Sequence, residues 1–510
     1  MTASTSPCPT FAVVGHPNDG KTTLVASLAE IDSAEISPDP GTTKKCFPYP
    51  VKIDGTEVVR FIDTPGFEHP AKALEWFKEH EDADGSLAGR FVVEQADSDG
   101  FKEELEIMRP LAEGAAVIYV VDGSRPVGQA ERAELEILRL VNRPRVAVIN
   151  QKRDIGTHVE KWRDELLKTF NSVREFNAHH ATFIDRLELL RAIRGIIQTW
   201  EPALDKVIAT YELDWENRTY KSADAICDLL KTSMSCTERE EIRNRDATEK
   251  VRADRAAEDK LRDTIRCEED RFREKVRAYF RHRRITGPPA DSLLVANLFT
   301  KDVTRQFGLS KKRLANTGAA IGAALGFVVD LHAGLLTLML GTAVGAATGY
   351  VVGWFGGNRT VKLNVQLMPD RLKQIIPEKV QFGIPLGGQE RCAEARARPT
   401  SNLPWELIGR ATEYFRWVST WPHGRCDEPL RADDKKQIKH PWLPDNWSTE
   451  DRATAADFIA LAFGSSLGAD IRTRLRDFFA LKKKKDPESI EREMREMLVR
   501  ILKEMEGFKT

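Results

Sequence analysis

The sequence predicts an α/β fold over about residues 1–203, a mostly parallel sheet between helices, followed by a mainly α-helical region with a glycine-rich hydrophobic hairpin. Three observations carry this. Short apolar runs alternate with helical patterns in the first part. The first run passes straight into a glycine-rich phosphate-binding loop. Beyond residue 203 the composition turns to long charged helical stretches and then to glycine repeats.

The strand candidates are FAVVG, VKID, EVVRFID, AAVIYVVD, RVAVIN and a short piece at Glu175–Phe176. Such alternation places ligands at the carboxyl ends of the strands. There the chain carries G-x-x-x-x-G-K-T, from Gly15 through His16, Pro17, Asn18, Asp19, Gly20 and Lys21 to Thr22, with Thr23 and an amphipathic helix start behind it. Gly15 and Gly20 let backbone N–H groups turn toward phosphate oxygens. Lys21 reaches the β- and γ-phosphates, and the Thr22 hydroxyl ligates Mg²⁺. Asp63 ends the strand EVVRFID and opens Asp-Thr-Pro-Gly, where an acid holds Mg²⁺ through water and the Gly66 N–H meets a γ-phosphate. Between these motifs lies PGTTKK, residues 40–45, whose Thr43, or Thr42, is placed to close over the phosphate and its metal. RVAVIN runs into Gln151-Lys152-Arg153-Asp154. Lys152 and Asp154 have the spacing of a guanine reader, but Gln151 stands where asparagine is expected, and Asn150 is one position early.

GHPNDGKT, GTTKK, DTPG and the degenerate QKRD together resemble the Era/TrmE/EngA group of bacterial GTPases over about residues 10–200. The resemblance implies binding of GTP and GDP with Mg²⁺, and GTP hydrolysis served by Lys21, Thr43 and Gly66. It implies K⁺ beside the phosphates, held by Asn18. It also implies guanine O6 at the Ala178 backbone, in the Asn177-Ala178-His179 stretch. Phe67 follows DTPG where Ras-like switches carry a catalytic glutamine, so hydrolysis proceeds without that group. The segment Glu68–Glu113 is long for a second switch; it reads equally as a partner-contact or lid element and as a tolerated surface insertion.

Residues 204–285 read as a charged helical arm, the run from Thr237 to Arg284 as one long amphipathic helix with a thin apolar stripe at Leu261, Ile265, Phe272, Val276 and Phe280. It suits a coiled-coil arm or a lever between domains, and its basic end, RAYFRHRR, suits RNA or anionic lipid. TGPPAD, residues 286–291, reads as a linker. In the hairpin, residues 286–357 with the linker, glycines recur four apart at 318, 322 and 326 and at 341, 345, 349 and 353. Residues 333–357 carry no charge and are long enough to span a bilayer, whereas 314–329 are short, with Asp330 and His332 as turn residues between them. The sequence therefore predicts membrane contact through 314–357, with a buried glycine-rich hairpin as the alternative. LFTKDVTRQFGLSKKRLANTGAAIGAALGFVVD extends the resemblance, over roughly residues 10–360, to Era-like GTPases with a C-terminal domain of unknown function. Residues 358–510 read as mixed and mainly helical. VKLNVQL is a strand candidate, 377–445 suggests irregular packing, Ser448 suits a helix N-cap, and a last helix opens at Asp486-Pro487.

Composition narrows the function classes. A formal net charge of −1 gives no overall drive toward nucleic acid or acidic substrates. The seven cysteines show no C-x-x-C pair, which argues against a zinc site or a disulfide framework and fits a reducing compartment. The start, MTASTSPCPT, does not read as a signal peptide. The expectation is a cytoplasmic nucleotide switch associated with the inner membrane. An RNA- or ribosome-assembly GTPase and an ATPase are its rivals.

Overall fold

A computed structural model describes residues 8–29, 43–81, 86–151, 158–178, 181–242, 247–281, 294, 296, 298, 300–332, 346, 392–397, 401–421, 441–465, 479 and 486–505. The chain divides into two compact units. The first comprises residues 1–218, 280–286 and 418–428, and the second comprises 219–279, 287–417 and 429–510.

The first unit is built on a six-stranded sheet: β1 (Thr10–Val14), β2 (Phe47–Ile53), β3 (Thr56–Asp63), β4 (Ala116–Asp122), β5 (Arg145–Asn150) and β6 (Val173–Phe176). The spatial order is β2-β3-β1-β4-β5-β6. Only β2 is antiparallel, to β3, joined by a tight turn in which Asp54 and Gly55 take positive φ of 50° and 78°. The strand order reverses about β1, which pairs in parallel with both β3 and β4. That reversal opens a crevice at the carboxyl end of β1.

Successive β1 side chains enter opposite layers. Ala12 and Val14 join a core with Val117, Tyr119, Val121, Ala147 and Ile149. Phe11 faces the other way, 5.8 Å from Phe61 and 5.3 Å from Trp200 between ring centroids. Helices α1 (Lys21–Leu28), α5 (Gln129–Val141), α6 (Val159–Leu166) and α7 (Phe183–Arg194) follow strands, as alternation requires. The long segment after DTPG is not a surface insertion. It folds into α2 (Pro70–Glu79), α3 (Leu87–Glu94) and α4 (Lys102–Ala112), whose Ala73, Phe77, Phe91 and Leu105 bury in the same core as Ala12 and Val14. Phe77 and Phe91 stack at 5.0 Å.

Helix α8 (Glu201–Ser235) gives its residues to Arg218 to the first unit and the rest to the second. In the second unit the charged run is not one helix. Thr237–Glu241 forms strand β7, paired antiparallel with β8 (Cys392–Arg396), and helix α9 starts only at Ala247, ending at Tyr279. The stripe on α9 is not an unpartnered coiled-coil seam: Leu261, Ile265, Phe272 and Val276 are buried, with Phe272 packed 6.2 Å from Tyr414 of the helix Leu403–Ser419. Thus 377–445 holds a strand and a helix rather than only irregular packing. Helix α10 (Lys301–Phe307) is followed by α11 (Lys311–His332), so Asp330 and His332 belong to the last helical turn, not to a turn between two arms. Among the described residues no helix is long and apolar enough to cross a membrane. The uncharged stretch 333–357 (apart from 346), the linker 286–291 and VKLNVQL lie outside the described residues.

Ser448 caps the helix Thr449–Ser465, accepting from the Asp451 N–H at 3.0 Å. Asp486 does the same for Pro487–Met505 through the Ser489 N–H at 2.7 Å. That last helix buries Ile490, Met494, Leu498, Ile501 and Leu502 and pairs Glu491 with Lys231 at 2.7 Å.

Candidate functional site

Five strand ends meet at one edge of the sheet, and the predicted residues that the structure describes gather there. After β1 the chain turns sharply: Gly15, Asn18 and Gly20 take φ of 150°, 68° and 94°. A side chain at Gly15 would place its Cβ 2.2 Å from the Val120 carbonyl oxygen, so only glycine fits beneath the loop. Asn18 at the apex is exposed. Lys21 is buried at the start of α1, donating to the carbonyls of Gly15 at 3.1 Å and His16 at 2.8 Å. It therefore lies across the loop it must serve. Thr23, one residue into α1 beyond Thr22, is buried.

The metal-ligating candidates converge on one carboxyl group. Thr22 Oγ1 donates to Asp63 Oδ2 at 2.7 Å, and Thr43 Oγ1 approaches the same oxygen at 3.5 Å. Asp63 is 1% exposed, and its Oδ1 has no partner among the described residues. Burial raises its pKa, against the lowering influence of Thr22, Lys21 and Thr43. A buried oxygen left open beside two hydroxyls fits a hard divalent cation such as Mg²⁺, which takes oxygen ligands.

DTPG closes against the phosphate loop. A Cβ on Gly66 would lie 2.5 Å from the Pro17 nitrogen. Thr64 Oγ1 donates to the Val13 carbonyl at 2.8 Å and ties this turn to β1. Phe67 is fully buried in the core and offers nothing to solvent. Beyond it, Glu104 Oε1 accepts from the N–H groups of Glu68 at 3.0 Å and His69 at 2.7 Å, fixing the exit of the turn. No sequence motif singles out Glu104, because its partners lie 35 and 36 residues away along the chain.

Two loop positions face inward rather than toward a ligand. His16 Nδ1 lies 3.0 Å from Glu134 Oε1, and Tyr119 donates to Glu134 Oε2 at 2.8 Å. The Glu134 hydrogen bond raises the His16 pKa, and burial raises that of Glu134. The Asp19 carboxylate is 2% exposed and paired with Arg125 from the loop after β4.

The base-reading end corrects the motif count. Gln151 turns away to Glu175, at 2.8 Å. Asn150, the last residue of β5, is buried; its Nδ2 donates to the Asp19 carbonyl at 2.8 Å and its Oδ1 accepts the Ala178 N–H at 3.1 Å. Asn150 rather than Gln151 therefore links the phosphate loop to the loop after β6. Lys152, Asp154, Thr42, His179 and His180 lie outside the described residues. Among the described residues no cluster of histidine, cysteine and acids suits a metal.

Sheet order, phosphate loop and DTPG turn define a P-loop GTPase domain of the Era, TrmE (MnmE) and Der (EngA) type. Residues 10–151 match a family described as 50S ribosome-binding GTPase. A domain of unknown function, DUF3482, matches residues 163–466, and the chain belongs to the DUF3482 family. Among curated proteins, GTPase Era of a Thermoanaerobacter species is 28% identical over 165 residues, covering 32% of this chain and 45% of the relative. The tRNA modification GTPase MnmE of Pseudothermotoga lettingae is 26% identical, covering 36% of each. GTPase Der of Thermotoga petrophila is 28% identical, covering 44% of each. The chain thus spans less than half the length of these relatives. An Aquifex aeolicus Era variant solved with GDP and aluminium fluoride is similar at 23% identity, covering 36% of this chain and 55% of that one, with a TM-score of 0.26.

Proposed function

We propose that this chain binds guanine nucleotide at the carboxyl edge of its sheet and hydrolyses GTP to GDP and phosphate as a switch. The observation that carries the reading is the convergence of Thr22 and Thr43 on the buried Asp63 carboxyl, beside Lys21 and the Gly66 turn. Lys21 and the loop N–H groups bind the β- and γ-phosphates. The Gly66 N–H orients the γ-phosphate, and Asn150 keeps the Ala178 loop in register with Asp19 beneath the base. Thr22 and Thr43 would hold Mg²⁺ directly and Asp63 through water. When bound, that ion would supply positive charge against the charge that develops on the phosphates. With Phe67 buried, no side chain directly after DTPG orients the water. Asn18 at the loop apex is the candidate ligand for K⁺, which would supply positive charge there.

The test is GTP turnover by the full chain and by Asp63→Asn. We expect the variant to lose at least about 100-fold in kcat, roughly 2.7 kcal/mol in the barrier. Wild-type-like turnover in the variant would remove Asp63 from the site. Turnover unchanged when Na⁺ replaces K⁺ removes the potassium role of Asn18. A GTP preference surviving Asp154→Asn removes that residue from base reading.

A second reading concerns output. The matched family is described as 50S ribosome-binding, and a similar Era structure contains MgGDPNP and part of 16S ribosomal RNA. The family description supports contact with ribosomal RNA as an output of the switch. Salt-sensitive co-sedimentation with ribosomal particles supports the RNA reading. Flotation with liposomes instead would restore membrane contact through 314–357.

A further inference from the structure

One helix, α4, grips two segments that border the candidate site. Its Glu104 holds the exit of DTPG through the N–H groups of Glu68 and His69. Glu106 of the same helix reaches the other segment. Its Oε2 accepts the Cys46 N–H at 3.1 Å, and its main-chain carbonyl accepts from the Cys46 thiol at 3.1 Å. Cys46 follows closely on Thr43 in the run Thr43-Lys44-Lys45-Cys46. We infer that Glu106 is a positioning residue of the nucleotide site, tethering the chain behind Thr43 so that the Thr43 hydroxyl is held where the γ-phosphate arrives. This rests on the nucleotide reading above.

Within residues 44–48, Cys46 alone is not exposed, so it is the point at which this stretch turns inward. Directly after it, the first pair of β2 with β3 sets Phe47 opposite Asp63. The tether therefore sits beside the strand end that carries the carboxyl of Thr22 and Thr43. Burial, with the Glu106 carboxylate beside it, pushes the Cys46 thiol up to about 12, so the thiol keeps its proton and can donate. The helix that supplies Glu106 is itself fixed, with Leu105, Ile107, Met108 and Leu111 buried.

Thr43 needs such a tether. Its Oγ1 stands 3.5 Å from Asp63 Oδ2, beyond the usual span of an O–H···O bond, so its own contact fixes it loosely. A hydrogen bond to a carboxylate is stronger than one between neutral groups. Arg109 Nη1 lies 3.1 Å from Glu106 Oε1, which leaves Oε2 for the Cys46 N–H. In the nucleotide reading Thr43 serves the γ-phosphate, which GDP lacks. Loss of the tether should therefore weaken GTP binding and spare GDP binding. A residue important only for the stability of α4 predicts equal effects on both.

The experiment measures affinity of the full chain for fluorescent GDP and for a fluorescent non-hydrolysable GTP analogue, both with Mg²⁺. Its variants are Glu106→Ala, Glu106→Gln and Arg109→Ala, with melting curves for each. We expect Glu106→Ala to weaken binding of the GTP analogue at least about 5-fold while GDP stays within about 2-fold of wild type. Glu106→Gln, whose amide oxygen can still accept the Cys46 N–H, should bind the analogue within about 2-fold of wild type, and so should Arg109→Ala. An unchanged ratio of the two affinities in Glu106→Ala overturns the inference. So does Glu106→Gln as weak as the alanine variant. Arg109→Ala as weak as Glu106→Ala also overturns it, because the ion pair rather than the Cys46 N–H would then be the role of Glu106. Should Glu106→Ala not fold, Glu106→Met, of similar length but without an acceptor oxygen, makes the same comparison. Failure of the wild type to bind either nucleotide is a separate result, and it overturns the nucleotide reading itself.

Discussion

Acids are buried in both units, and their surroundings differ. Among the described residues at the edge of the sheet, Asp63 uses one oxygen for two hydroxyls and the other has no partner, and Glu104 likewise uses Oε1 alone. In the second unit, Glu269 uses both oxygens. Oε1 accepts from Arg410 Nε at 2.8 Å and Arg273 Nη2 at 2.6 Å, and Oε2 accepts from Arg410 Nη2 at 3.2 Å. Arg410 also donates to the carbonyls of Leu294 at 2.7 Å and Ala296 at 3.0 Å. Burying a polar group and leaving part of it unsatisfied costs stability, so a fold keeps few such atoms away from ligand sites. The two open oxygens lie at the edge of the sheet where nucleotide is proposed to bind. The Glu269 cluster fastens α9 to the helix Leu403–Ser419 and to Leu294 and Ala296.

The sharpest way to break this contrast is Glu269→Ala. It removes the carboxylate that Arg410, 3% exposed at its side chain, shares with Arg273. The expected loss is about 3–5 kcal/mol of stability in the second unit, read by denaturant melting, with nucleotide affinity unchanged. An equal loss of nucleotide binding would show that the cluster serves the site as well.

Glu406 gives the next effect. Burial pushes its pKa up from 4.5 to about 7, against Thr304 and Arg410, which lower it. The folded carboxyl thus holds its proton more tightly than the unfolded one. Its contribution is fully present below the unfolded pKa, declines as pH rises toward about 7, and is flat above. The loss across that window is on the order of 3 kcal/mol. Glu406→Gln should remove this slope from a series of melts between these limits. A slope that persists in the variant assigns it to another group.

How much of this could be read beforehand depends on the range of the interactions. The phosphate loop and DTPG are legible because each is a local geometry with few permitted residues, as the clash at Gly15 illustrates. The linking role of Asn150 is not legible because motif spacing counts residues along the chain and sets it one position early, whereas its partners, the Asp19 carbonyl and the Ala178 N–H, are fixed by the fold, the latter through the register of β5 against β6. Thr237–Glu241 read as helix because it is charged and lacks β-branched residues beyond Thr237. Pairing with Cys392–Arg396, far along the chain, overrides that local preference. The α9 stripe was visible, but not the neighbours that cover it. Glu104 and Glu106 gave no motif at all, because each acts by contact with a distant segment.

Glu104 offers the finest test of the difference between the units. Its carboxyl takes two N–H groups at the exit of DTPG, and its own helix is held independently by Leu105, Ile107, Met108 and Leu111, all buried. Removing it by Glu104→Ala strands the N–H groups of Glu68 and His69, but also removes a buried oxygen with no partner among the described residues. The two effects oppose each other in stability, so the melting midpoint should move less than for Glu269→Ala. They do not oppose each other in turnover, because the exit of DTPG loses its anchor and Gly66 its fixed approach to the γ-phosphate. We expect kcat for GTP to fall roughly 10-fold, about 1.4 kcal/mol, with GDP affinity retained. Glu104→Gln, whose amide oxygen can still accept both N–H groups, should recover most of the rate. If Glu104→Ala instead melts as early as Glu269→Ala and turns over normally per folded molecule, the half-open acid is a fastener too. The contrast between the units would then shrink to Asp63 alone.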